Sequence, residues 1–180
     1  GSAAQQEFRE VTLSPFVEGA SHVAIIGSGG GRDIKLARAA GVPHIVAIEV
    51  EPTVPRAVQG NLARYFERVY DEPGVEVVIG EARHYFERSL QEFDVLFFWS
   101  VGGYPQLMLE PGNMVRTREA LQTFVEHLSP RGLFVMGYDA ELDPEKILLR
   151  QYFATLSALG CEIAGFERGD QLNEYMLVAT

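Results

Sequence analysis

Short apolar runs alternate along this chain with stretches whose apolar residues recur every three or four positions. The runs at residues 23–26 (VAII), 45–50 (IVAIEV), 75–79 (VEVVI), 93–99 (FDVLFFW) and 133–138 (LFVMGY) predict five strands. The fourth is apolar enough to be buried on both faces. Between the runs, the spacing predicts helices. Ile34, Leu36 and Ala37 mark one over 32–40, with Gly41 as its stop signal. Val54, Val58, Leu62, Phe66 and Val69 fall three or four apart and predict a long helix over 54–70. Residues 82–90 and 116–128 predict two more, the second followed by a turn at Pro130, Arg131 and Gly132. Pro144 opens a helix that runs to Leu159, since proline suits the first helical turn. Residues 161–167 and 174–179 close the chain as two strands, and their short connection predicts an antiparallel hairpin.

Five strand–helix alternations followed by a hairpin imply an α/β three-layer, Rossmann-like sandwich, with a mostly parallel seven-stranded sheet and a C-terminal antiparallel hairpin. Ligands of such sheets bind outside the carboxyl ends of the strands. That directs attention to the loops after Ile26, Val50, Ile79, Trp99 and Tyr138. The chain has 180 residues, about one domain's worth. The expected organisation is a lead-in over 1–20 and a single ligand-binding domain over 21–180. Gly1-Ser2, with no methionine, reads as a tag-cleavage scar.

Charge narrows the ligand. Fifteen Lys and Arg against 25 Asp and Glu leave a formal charge of −10. That is a poor match to nucleic acid, whose nonspecific affinity comes from Lys and Arg, and a better one to a neutral or cationic ligand. The single cysteine, Cys161, excludes a disulfide within the chain and a Cys-rich zinc site. The four histidines (His22, His44, His84, His127) are scattered, so no metal site is expected. No stretch approaches the roughly 20 apolar residues of a membrane helix. A cytoplasmic location is expected, or the cytoplasmic side of a membrane if the natural chain is longer. A homodimer is the default assembly.

The strongest chemical signal is Gly27-Ser28-Gly29-Gly30-Gly31-Arg32-Asp33, directly after the first strand. Glycines there let the backbone turn tightly and approach a ligand, and the following helix offers its free N–H groups. The loop does not end in Gly-Lys-Ser/Thr, so it is no Walker loop. The dinucleotide fingerprint would place Arg32 where a small residue must pack. Gly-x-Gly-x-Gly at Gly27, Gly29 and Gly31 is the pattern that fits. Glu49 ends an otherwise apolar second strand, where a carboxylate can accept both ribose hydroxyls of an adenosine. Glu51 reads as a solvated charge. After the third strand, Glu81 and the N–H of Ala82 can read an adenine edge, although Glu at a helix start also complements the dipole. Arg32 and Asp33 read as a pair that caps the helix start, and His22 and His84 as surface residues.

Taken in order, VAIIGSGGGRDI, IVAIEVEP, VEVVIGEAR, FDVLFFW and LSPRGLFVM resemble the class I S-adenosylmethionine-dependent transferase fold, over roughly residues 23–136. Within it the chain is similar to the spermidine synthase-like branch, notably the soluble domains fused to transporter-like membrane segments in some bacteria. Those share the Gly-Gly-Gly-Arg-Asp loop and a segment like Tyr70-Asp71-Glu72-Pro73. Ile25 stands where many methyltransferases have an acidic residue, as it does in spermidine synthases. The resemblance implies that Gly27, Ser28, Gly29 and Gly31 form the donor loop, Glu49 holds the ribose, Glu81 and Ala82 read adenine, and the loop after Trp99 holds the acceptor.

Two departures bear on the reaction. Aminopropyltransferases typically carry an Asp where Gly30 stands, and a catalytic Asp where Trp99 stands. An indole accepts no proton. Asp139, after the fifth strand, and Tyr104 are the replacement candidates, with Trp99 and Tyr104 also able to wall a sulfonium or ammonium by cation–π contact. Three readings follow. The first is a transferase using S-adenosylmethionine, most simply for methyl transfer to a small acceptor. The second is a polyamine aminopropyltransferase using decarboxylated S-adenosylmethionine with a relocated base. The third is a donor-binding or structural module without catalysis.

Overall fold

A computed structural model describes residues 16–98, 114–139, 147–167 and 174–179. In chain order its elements are β1 (His22–Ile26), α1 (Arg32–Ala39), β2 (His44–Glu49), α2 (Thr53–Gln59), β3 (Val75–Ile79), α3 (Ala82–Phe86), β4 (Phe93–Phe98), α4 (Arg118–Glu126), β5 (Leu128–Asp139), α5 (Ile147–Ala158), β6 (Ile163–Glu167) and β7 (Glu174–Ala179). The sheet order is β3-β2-β1-β4-β5-β7-β6. The first five strands run parallel. The register at β5–β7 and β7–β6 is antiparallel.

Period-two alternation splits the strand residues between two cores. Ala24, Ile26, Leu96, Phe98, Phe134 and Met136 face α3, α4 and α5, where Phe86, Phe124 and Leu156 close the layer. Val23, Ile25, Val95, Phe97 and Val135 face the opposite way, against Ile34 and Ala37 of α1 and Val58 of α2. The central strands are thus buried on both sides, which is why they read as nearly continuous apolar runs. Fully burying each of these Phe, Leu or Ile side chains contributes on the order of 1.5–3 kcal/mol.

Two expectations need correction. The long helix over 54–70 is absent: α2 ends at Gln59, and Gly60 takes a non-helical φ of −94° and ψ of −116°. The chain continues through turns that bond irregularly, Leu62 N–H to Ala57 C=O and Arg68 N–H to Ala63 C=O, and reaches a 3-10 turn at Val69–Asp71. Leu62, on the supposed buried face, is 42% exposed. The second concerns Pro130-Arg131-Gly132, expected as a turn before a strand starting at Leu133. It lies inside β5, where the pairing jumps from Phe93–Leu128 to Val95–Leu133. The three extra residues form a bulge that keeps the chain extended. The helix expected from Pro144 begins, among described residues, at Ile147, and Pro144 itself lies outside them. No described helix is long and apolar enough to cross a membrane.

Candidate functional site

The carboxyl end of the parallel sheet brings the sequence-predicted donor residues together. Gly27 N–H and Ser28 N–H both donate to Ile48 C=O, at 2.8 and 3.1 Å, so the glycine loop is tied to the end of β2. Gly27, Gly29 and Gly31 have left-handed φ values of 76°, 49° and 80°. Gly31 is also the N-cap of α1, and no side chain caps that helix.

Glu49 is 8% exposed at the last position of β2. Its Oε2 accepts from Gly29 N–H at 2.9 Å, and its Oε1 accepts from Glu51 N–H at 3.0 Å. Each carboxylate oxygen can accept about two hydrogen bonds, so both retain acceptor capacity. The carboxylate is thus oriented before any ligand arrives. Glu49 pairs in register with Ile79 of β3, and Gly80 N–H donates to Glu49 C=O at 2.9 Å. That places the Glu81 and Ala82 turn beside the Glu49 strand end.

Glu81 has a local job. It is the N-cap of α3, accepting from Arg83 N–H at 3.0 Å and His84 N–H at 2.9 Å. Ala82 is buried at the first position of that helix. An open cavity of about 580 Å³ lies along the outer side of β3 and α3, walled by Val78, Ile79, Gly80, Glu81 and Tyr85 among others. Glu51 is exposed, and its carboxylate accepts from the N–H and hydroxyl of Thr53. Those bonds hold it below the usual carboxylate range. Asp33 is buried and ion-paired to Arg32 at 3.1 Å, as expected, but the expected cap is not formed: Gly31 is the N-cap and no side chain bonds to the helix start. Burial pushes its carboxyl up, against the opposing charge of Arg32.

Sequence reasoning missed one member of this site. The hydroxyls of Tyr70 and Ser28 lie 2.7 Å apart, and Tyr70 O–H donates to Gly29 C=O at 2.7 Å. A phenol has one proton, so Ser28 must be the donor in the first contact. Burial raises the Tyr70 hydroxyl above its ordinary value, against the Ser28 hydrogen bond, and the nearby Glu49 charge adds to the rise. The phenol therefore keeps its proton for Gly29. The signal was present in the Tyr70-Asp71-Glu72-Pro73 segment, but nothing local links Tyr70 to a loop some 40 residues upstream.

Trp99 and Tyr104 lie outside the described residues. Asp139 ends β5 at the same end of the sheet and pairs in register with Glu174 of β7, while its side chain lies outside what is described. Among described residues, no cluster of three or more His, Cys, Asp or Glu is arranged to hold a metal.

No family model matches the chain. It is 27% identical over 117 residues to the polyamine aminopropyltransferase of Hamiltonella defensa, covering 64% of this chain and 39% of that protein. The chain therefore spans about two fifths of the length of that curated relative. Among solved structures it is similar to a spermidine synthase in complex with the transition-state analogue AdoDATO, with a TM-score of 0.73 at 19% identity, covering 96% of this chain and 60% of that one. It is also similar to human methyltransferase-like protein 13 in complex with SAH, with a TM-score of 0.71 at 18% identity, covering 93% and 76%. The fold is that of the class I S-adenosylmethionine-dependent transferases. The structural neighbours include spermidine synthase and methyltransferases, and the sequence relatives are polyamine aminopropyltransferases.

Proposed function

We propose that residues 21–180 form one S-adenosylmethionine-binding domain that transfers a group to a small acceptor. The observation that carries this reading is the union of the glycine loop with Glu49: the loop's own Gly29 N–H orients a buried carboxylate that keeps free acceptor capacity. Those residues fit an adenosyl donor. The loop of Gly27, Ser28, Gly29 and Gly31 would lie against its amino-acid end, Glu49 would accept from its ribose hydroxyls, and Glu81 with Ala82 would read its adenine edge. The donor supplies an electrophilic carbon on a sulfonium, whose C–S bond breaks as an acceptor lone pair attacks, leaving the electron pair on sulfur. This chain's part is alignment, which can supply much of the rate, and removal of the acceptor proton. Asp139, at the carboxyl end of β5, is assigned as the base, with Trp99 and Tyr104 walling the cation.

Methyl transfer is the simplest reaction of this kind. Aminopropyl transfer from decarboxylated S-adenosylmethionine to a polyamine is the second reading. It is favoured by the sequence relatives, which are polyamine aminopropyltransferases, and by the −10 charge, which suits a cationic acceptor.

Calorimetric titration with each donor separates them. Tighter binding of the intact form supports methyl transfer, because something then recognises its carboxylate. Tighter binding of the decarboxylated form supports aminopropyl transfer. In either case Glu49→Ala is expected to abolish binding. Binding of neither donor, or an unaffected Glu49→Ala variant, removes the proposed site.

A further inference from the structure

The stretch between Gly60 and Asp71 is neither helix nor strand for most of its length, yet it touches the glycine loop residue by residue. A Cβ at Gly30 would lie 2.7 Å from the Phe66 ring, and one at Gly31 would lie 2.4 Å from a Val69 methyl. Tyr70 then binds both Ser28 and Gly29 through its hydroxyl. Three side chains in five positions thus back the whole loop from Ser28 to Gly31. In a regular helix positions 66, 69 and 70 would also share one face, but this stretch is built of turns and a 3-10 segment. The chain reaches this arrangement through left-handed φ at two consecutive non-glycine residues, Glu67 at 56° and Arg68 at 54°. Such residues cost on the order of 1 kcal/mol or more each and persist only where the surroundings over-determine them.

The chemistry of the Gly29 backbone makes Tyr70 more than a packing residue. Its N–H is held by Glu49 and its C=O by Tyr70. The N–H belongs to the Ser28–Gly29 peptide and the C=O to the Gly29–Gly30 peptide, so the two bonds hold the two planes that meet at the Gly29 Cα and fix its φ and ψ between them. Through Gly29, Tyr70 helps set the direction in which the Glu49 carboxylate is held. We propose that Tyr70 is a positioning residue for donor binding, its hydroxyl holding the Gly29 carbonyl and, through the backbone of Gly29, the ribose-binding face of Glu49. This rests on the donor site assigned above. Tyr70 touches no ligand atom in this scheme.

The test compares wild type with Tyr70→Phe, which keeps the ring and removes only the hydroxyl. Each is titrated calorimetrically with 5′-methylthioadenosine and with its 2′-deoxy counterpart. Tyr70→Phe is expected to weaken 5′-methylthioadenosine binding about tenfold, the equivalent of one lost hydrogen bond of about 1.4 kcal/mol. The decisive readout is discrimination between the two ligands. Wild type is expected to prefer the ligand with both hydroxyls, and Tyr70→Phe to shrink that preference at least about threefold. A purely structural role would lower thermal stability and weaken both ligands equally, and that result overturns the proposal. If Tyr70→Phe does not fold, Ser28→Ala removes the proton donated to Tyr70 and is expected to shrink the same preference about twofold. An unchanged preference in Ser28→Ala overturns it as well. Wild type that binds neither ligand removes the donor site itself, and this role with it. Wild type that binds, with both variants indistinguishable from it, removes the role of Tyr70 alone.

Discussion

Gly30 and Gly31 are neighbours in the loop, but they do not tolerate a side chain equally. Gly31 has a φ of 80°, and its missing Cβ would lie 2.4 Å from the branched, fully buried Val69. Gly30 has no left-handed φ, and its Cβ would meet the edge of the half-buried Phe66 ring at 2.7 Å, which can turn aside. Gly31→Ala combines left-handed strain with overpacking and is expected to cost roughly 2–4 kcal/mol. Gly30→Ala is expected to cost about 1 kcal/mol or less. Thermal unfolding distinguishes them, since each kcal/mol shifts Tm by about 2–4 °C at this chain length; equal shifts would contradict the packing described. At this scale the sequence was legible where a residue broke its own local pattern. Glu49 stood out as a carboxylate in an apolar strand, and the glycines stood out by number. Tyr70 did not, because its partners are Ser28 and Gly29, and long-range pairing leaves no periodic mark.

Among the elements, α2 shows where periodicity misleads. Apolar residues at 54, 58, 62, 66 and 69 satisfy a helical template, yet the helix stops at Gly60 and the later members are delivered by turns. Three- and four-residue spacing also arises when successive tight turns return to one surface, as Phe66 and Val69 do against the glycine loop. The two descriptions make opposite predictions. In a continuous helix, Gly60→Ala would stabilise by about 1 kcal/mol, and Leu62→Ala on a buried face would cost about 2–5 kcal/mol. In the structure a Cβ on Gly60 would meet Arg56 C=O at 2.6 Å, and Leu62 is exposed. Gly60→Ala is therefore expected to destabilise by roughly 1–3 kcal/mol, and Leu62→Ala by no more than about 0.5 kcal/mol. Denaturant midpoints for the two variants decide the matter. The parallel strands β1, β2 and β4 were legible for the opposite reason: burial on both faces compresses them into runs that no turn sequence imitates.

Across the whole molecule, the two ends of the sheet have different work. The carboxyl ends carry the loop, Glu49 and Glu81. The amino ends are stapled by Asp94 of β4, which accepts from the Ser21 and His22 N–H groups at the start of β1 and from the Ser129 hydroxyl in β5. Burial pushes the Asp94 carboxyl up, but those three hydrogen bonds, helped by His22, outweigh it and hold it below the usual carboxylate range. A carboxyl lower in the folded than in the unfolded chain contributes stability that is complete above the unfolded value, about 3.9. That contribution is lost as pH falls through the lower folded value. Asp94→Asn keeps the shape but presents an NH₂ where two backbone N–H groups must be accepted. It is expected to lower Tm by roughly 2–4 °C at neutral pH, about 1 kcal/mol. The deficit should stay level down to about pH 5 and narrow below about pH 4, where wild type loses its own advantage. Affinity for an adenosyl ligand should not change, because the staple and the site sit at opposite ends of strands whose cores are rigidly packed. A parallel loss of affinity in Asp94→Asn would mean that the two ends are coupled through the sheet, and that stability at the amino ends is a condition of binding at the carboxyl ends.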